Sequence, residues 1–165
     1  MTWANSGIYA SVLGASLTVT ANAPNWSTAA NNKFALTSNS DVTAYNAALA
    51  SAIWGNHSAT EITGTGWAAG GPTMATANAG GTMTPAITVS GTSPVLMVWG
   101  ITAGISISGT TLTGAYGGYF YSTTTTQYLM AGIYFGGTGY STVGGIFGVS
   151  WSGLQIATIS VAANA

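Results

Sequence analysis

Charge is what this sequence has least of. Of 165 residues one is Lys or Arg and two are Asp or Glu, 2% in all, where an ordinary soluble domain carries about a quarter charged residues. The ionic side chains are Lys33, Asp41 and Glu61, with His57 the single histidine. Binding to nucleic acid through phosphate neutralisation needs several Lys or Arg, so nucleic acid is not an expected partner. Glycoside hydrolysis needs two carboxylates at a set separation, and a Ser or Thr nucleophile needs a base beside it. With so few acids and one His, the chain is read as a non-enzyme. There is no cysteine, which removes disulfides and thiolate metal sites. The most apolar stretch, PVLMVWGITAGISI at residues 94–107, is shorter than the roughly 20 residues of a spanning helix. The start, MTWANSGIYASVLGASL, lacks the positive n-region of a secretory signal. No membrane association, cofactor or metal is expected.

What is present is a 47% hydrophobic chain with 24 Gly, six Trp and eight Tyr. That is enough apolar surface for one packed domain. The net charge of −1 leaves almost no repulsion between copies, so such a chain tends to associate.

Residues 1–30 read as an N-terminal arm, with a possible strand at 8–19 and a turn at 21–25. Residues 31–165 read as one domain. A short strand at 33–37 puts Phe34 and Leu36 on one face. Ser40 or Asp41 can cap a helix, and Val42, Tyr45, Leu49 and Ile53 then recur at helical spacing among alanines, which predicts a helix over 41–54 that ends at Gly55-Asn56. After Glu61 the pattern is strands and turns, with strands expected at 73–77, 82–90, 95–99, 104–108, 114–121, 128–135, 143–151 and 154–161. Short strands at this spacing with Gly-rich turns give an all-β fold, an antiparallel β-sandwich of jelly-roll or Ig-like kind.

Two strands carry more detail. Residues 128–135 are apolar on both faces, with Tyr128, Met130 and Tyr134 on one and Leu129, Ile133 and Phe135 on the other. A half-solvated strand would alternate with polar residues, so this one is central or faces a partner subunit. In 154–161 the apolar phase flips near Ala157-Thr158, which predicts a β-bulge or a change of sheet.

Gly64-Thr-Gly66-Trp-Ala-Ala-Gly70 has GxGxxxG spacing and neither follows a strand nor opens a helix, so it reads as a turn and not a dinucleotide site. His57 and Glu61 lie four apart with Asp41 upstream, a set that could bind zinc or move protons. Gly55-Asn56 breaks the helix there, and His57 is read as a surface-loop residue. Trp and Tyr combine large buried area with a polar handle and are enriched at interfaces. Trp99, Tyr134 and Trp151 sit in apolar strands and read as core. Trp3 and Trp26 in the arm and Trp54 at a helix end are the candidates for contact with a neighbour, together with Tyr128 and Met130 on the two-faced strand.

The ordered series KFALTSNSDVTAYNAA, EITGTGWAAGG, GISISGTTLTGAYGGYFY, YLMAGIYFGG and GGIFGVSWSGLQIATISV resembles a family of small virion structural proteins of tailed bacteriophages. Members often show a K-x-A-L-x-T strand, an E-x-[ST]-G-T-G-[YW]-x-A-G-G turn, a strand ending A-x-Y-x-x-[IF]-Y, a strand closing in F-G-G and a final W-x-x-x-G-[IL] hairpin. The corresponding residues here are 33–37, 61–71, 115–121, 134–137 and 151–154; 61–71 and 134–137 fit their patterns, while Ser38, Gly117 and the short Trp151-Ser-Gly-Leu154 depart from the others, and the MTWANSG start is similar to that of some members. The usual members carry many more charged residues. The resemblance implies an all-β sandwich that decorates a capsid or sits in the tail or head–tail region, found in the virion and assembled in the host cytoplasm. The partners it implies are the major capsid protein or other virion proteins; copies of the same chain are a further expected partner, as a symmetric homo-oligomer such as a trimer. It brings no catalytic residue. A tail tube or tail-tip component is the nearest alternative. A carbohydrate-binding module, with exposed Trp and Tyr stacking on sugars, is a further one. Ice binding would suit the Thr-rich runs at 110–113 and 122–126 but needs a regular Thr-x-Thr repeat, which is not found.

Overall fold

A computed structural model describes residues 7–8, 23–41, 52–90, 95–124 and 126–161. Its organising strand is β2 (Asn32–Thr37). The sequence NKFALT alternates, so Phe34 and Leu36 point to one face and Lys33, Ala35 and Thr37 to the other. All but Lys33 are buried, so β2 is covered on both sides. It pairs antiparallel with β7 (Gly117–Ser122) from Asn32↔Ser122 to Thr37↔Gly117. β8 (Leu129–Tyr134) lies beyond β7, β1 (Gly7–Ile8) beyond β8, and β3 (Glu61–Ile62) on the far edge of β2, giving the order β1-β8-β7-β2-β3.

Two smaller antiparallel sheets complete the fold. β4 (Pro85–Ser90), β5 (Val95–Ile101) and β10 (Gln155–Val161) stand in the order β10-β5-β4, and β6 (Ile105–Ala115) pairs with β9 (Tyr140–Val149). Aromatic rings from all three sheets meet in the core. Phe34 lies 4.6 Å from Phe120, Phe120 lies 5.4 Å from Trp99 on β5, and Trp67 lies edge-on to Phe147 on β9 at 5.4 Å, all between ring centroids. Such pairs contribute about 0.5–1.5 kcal/mol each beyond the area they bury. The opposite face of the five-stranded sheet carries Tyr119 and Tyr121, and Trp54 and His57 pack over them. The fold is all-β and sandwich-like, and among the described residues the only helical pieces are three-residue 3-10 turns.

Most expected strands are present with shifted ends. The two-faced strand is β8, held between β7 and β1, and its apolar residues on both sides follow from that central place. β10 shifts register between Gln155 and Ala157, just ahead of the flip in its apolar phase. The segment at 64–71 is a set of turns, with Gly64 and Trp67 exchanging backbone hydrogen bonds of 3.0 Å.

Three expectations are corrected. Residues 73–77 form a turn instead of a strand: the Thr76 N–H donates to the Thr73 carbonyl and the two hydroxyls meet at 3.1 Å. The separate strands at 104–108 and 114–121 are divided elsewhere, because β6 runs unbroken through Gly109 to Ala115 and absorbs the glycines as register shifts against β9. Residues 42–51 of the expected helix lie outside the described residues, and its last three are not α-helical. The Ala52 carbonyl accepts from Leu129 N–H, Ile53 bridges Tyr128, and Trp54 opens a 3-10 turn. Backbone groups at the start of β8 compete successfully for hydrogen bonds a helix would have made internally.

The described parts of the N-terminal 30 residues lie on the domain. Gly7 and Ile8 pair with Gly132 and Ala131, and Trp26 sits edge-on to Trp99 at 5.0 Å while its carbonyl accepts the Trp99 indole N–H at 3.0 Å.

Candidate functional site

The few ionic groups gather on the Tyr119–Tyr121 face of the large sheet. Nδ1 of His57 stands 3.0 Å from Oδ2 and 3.2 Å from Oδ1 of Asp41. The Tyr119 hydroxyl donates to the same Oδ2 at 2.8 Å, and its ring lies 4.6 Å from the His57 ring. A carboxylate only accepts, so Nδ1 carries the hydrogen of the pair. His57 and Asp41 are 1% exposed and Tyr119 is fully buried. His57 is therefore a core residue, not the surface-loop residue expected from Gly55-Asn56. At this burial the three groups present nothing to a ligand. They tie the chain at residues 41 and 57 to β7.

Glu61 lies in a second cluster. Its Oε1 accepts the Gly70 N–H at 2.6 Å, and the Gly70 carbonyl accepts the Tyr121 hydroxyl at 2.7 Å. Burial pushes the Glu61 carboxyl above its ordinary range, opposed by the Gly70 hydrogen bond and by the charge of Lys33. Burial, and then the charge of Glu61, push the Tyr121 phenol well above its usual range. Trp54 stacks on Tyr121 at 5.1 Å, 14° from parallel, and lies 6.4 Å from Tyr119, so it joins the two clusters. Asp41 and His57 are buried and Lys33 and Glu61 half-buried, so of the ionic side chains only Lys33 and Glu61 reach solvent, each in part. No cluster of three or more metal-ligating side chains occurs among the described residues.

Among the described residues, several large apolar side chains are exposed. On β9, Tyr140 is 51%, Val143 88% and Ile146 66% exposed. On the smaller sheet Val89 of β4 is 64% exposed, with Ile87 and Met97 beside it. Between β9, the end of β8 and the chain after β9 runs an open groove of about 450 Å³, lined among others by Tyr134, Phe135, Tyr140, Ile146, Ser150 and Trp151. Tyr134 and Trp151, read as core, are half-buried walls of this groove. The Trp151 indole N–H is buried without a hydrogen-bond partner. Leu154, just past it, is exposed and holds a left-handed backbone at φ 55°, a conformation unusual for a leucine.

The expected neighbour-contact residues do not come together. Trp54 and Met130 are buried in the chain's own core, because Trp54 is needed over the tyrosines and β8 is central. Tyr128 is half-buried at the bridge to Ile53. Trp26 is half-buried on Trp99. Trp3 lies outside the described residues. The exposed residues that sequence reasoning missed are Tyr140, Val143 and Ile146. Their only sequence signal is apolar side chains placed among glycines in YSTVGGIFG.

No protein-family model, no curated protein and no solved structure matches this chain. No described helix is long and apolar enough to cross a membrane.

Proposed function

We propose that this chain is a structural virion protein of a tailed bacteriophage, a decoration protein that docks on the capsid shell and cements neighbouring capsomers. The observation that carries the reading is the division of its surface. Asp41 and His57 are buried against each other and Lys33 and Glu61 are half-buried, while large apolar side chains on β9 stand in solvent. A monomer leaves few such side chains together without a reason, and contiguous exposed apolar surface marks docking sites. The ordered segments at 33–37, 61–71 and 151–154, of which 61–71 fits its pattern throughout, support the same reading through the family they resemble. The major capsid protein is the proposed partner on the shell, and the work done there is burial of apolar and Thr/Ser/Gly surface, with no catalysis.

Mass spectrometry of purified virions tests this. The chain should appear at a copy number commensurate with the capsid lattice, and purified chain should co-sediment with undecorated shells. Virions without the chain would overturn the proposal. Placement in the tail by cryo-EM would replace the decoration role with that of a tail tube or tail-tip component.

The groove favours one second reading. Tyr134, Tyr140 and Trp151 line the groove beside Ser150, with no charged residue in the lining, which suits a neutral polyhydroxylated ligand, so the same surface could serve as a carbohydrate-binding module. A glycan array without hits disposes of it.

A further inference from the structure

β4 is an edge strand without the usual protection. It hydrogen-bonds to β5 alone among the described strands, and Ala86 through Ser90 are all exposed. Natural edge strands are guarded by Lys, by internal proline, by bulges or by inward charges. β4 has none of these past its first residue: the sequence is PAITVS, its proline starts the strand, and its register against β5 is unbroken from Pro85↔Ile101 to Ser90↔Leu96. The free edge therefore offers unpaired backbone donors and acceptors to another strand.

We infer that β4 pairs antiparallel with β4 of a second copy, about a two-fold axis through Thr88. The strand itself selects this occupant. Around Thr88 its pattern is palindromic: small Ala86 and Ser90 at the ends, β-branched Ile87 and Val89 inside. Antiparallel partners share a face of the sheet. With Thr88 opposite the partner's Thr88, Ile87 meets the partner's Val89 and Ala86 meets the partner's Ser90. A slip of one residue would set Ile87 or Val89 against a small or hydroxyl residue. The shared register brings together four exposed β-branched side chains on the face that also carries Trp99 and Met97. It joins two three-stranded sheets into one of six strands. Little charge opposes the approach, because the chain's net charge is −1 and β4 itself carries no ionic side chain. The contact is isologous and closes on itself as a dimer, a different closure from the trimer anticipated above. It needs no shell, so it stands or falls apart from the virion reading.

The absence of cysteine makes the register directly testable. Thr88→Cys, oxidised mildly, should give a disulfide-linked dimer, since paired residues on the axis have Cα atoms about 4.5–5.5 Å apart, within disulfide reach. Ala86→Cys alone should stay unlinked, because two copies of that position lie about 14 Å apart along the strand. Mixed with Ser90→Cys it should form the heterodimer. Sedimentation equilibrium of the unmodified chain should show dimer, and Thr88→Lys should weaken it by at least about tenfold through like charges placed directly opposite. A chain that stays monomeric at all concentrations overturns the inference. So does Ala86→Cys linking to itself as readily as Thr88→Cys, or a dimer indifferent to Thr88→Lys.

Discussion

The hydroxyl of Tyr119 donates to Oδ2 of Asp41 across 2.8 Å, between residues 78 apart in the chain. This bond and the His57 contact on the same carboxylate form a buried polar tie between distant parts of the chain. Tyr119→Phe should cost about 1–3 kcal/mol, the range for losing a buried hydrogen bond to a charged group. Asp41→Ala should cost more, about 3–5 kcal/mol, because it strands two buried polar partners together. Urea denaturation of the two variants and their double mutant measures both, and a double-mutant cycle without coupling would refute the tie.

Glu61 should make stability fall as pH rises through the acid range. Its carboxyl is held above the ordinary value of 4.5 in the folded state, chiefly by burial. The folded chain therefore binds that proton more tightly than the unfolded chain does. The contribution is full below the unfolded value and is lost as pH climbs through the folded one. Glu61→Gln keeps an oxygen for the Gly70 N–H but cannot ionise. Urea midpoints across this window should fall for the natural chain relative to the variant. The same logic places a second loss of stability above the ordinary phenol range, from Tyr121, and Tyr121→Phe should abolish it.

Two glycines with nearly the same backbone should respond very differently to alanine. Gly71 has φ +67°, and a Cβ there would collide with the Phe34 carbonyl of β2. Gly109 has φ +68° and open space around it. Gly109→Ala should cost about 1–2 kcal/mol, the left-handed penalty alone, and lower Tm by about 2–4 °C per kcal/mol. Gly71→Ala should displace the turn from β2 and leave little folded protein, as circular dichroism and thermal melts would show.

Val143→Ser and Ile146→Ser should leave stability within about 0.5 kcal/mol, since both side chains already stand in solvent. Under the decoration reading the same pair should lose co-sedimentation with capsid shells. Shell binding unchanged by both would move the docking face off β9.

The strands were legible wherever a period of two was clean. β2, β8 and the shifted phase of β10 could be read from Phe34 and Leu36, from the two apolar faces around Met130, and from Ile156 and Ile159. Residues 73–77 misled because Thr73, Met74 and Thr76 carry strand-like residue types while the Thr73 hydroxyl and carbonyl bond locally to Thr76. Gly109 and Gly114 looked like the end of one strand and the start of another, yet both sit within β6 at positive φ. The polar cluster was invisible for another reason. His57 finds Asp41 16 residues back and Tyr119 far ahead, and no local pattern marks a pairing made only when β7 is in place.

Carrying only Lys33, Asp41, Glu61 and His57, the second and last buried and the others half-buried, also fixes how this protein meets other molecules. Its outer skin casts almost no long-range field, so encounters proceed without electrostatic steering, at the roughly 10⁵–10⁶ M⁻¹s⁻¹ of neutral partners. What such a surface gains is indifference to ionic strength: contacts formed in dilute medium persist in brine, because the surface holds almost no charge for salt to screen.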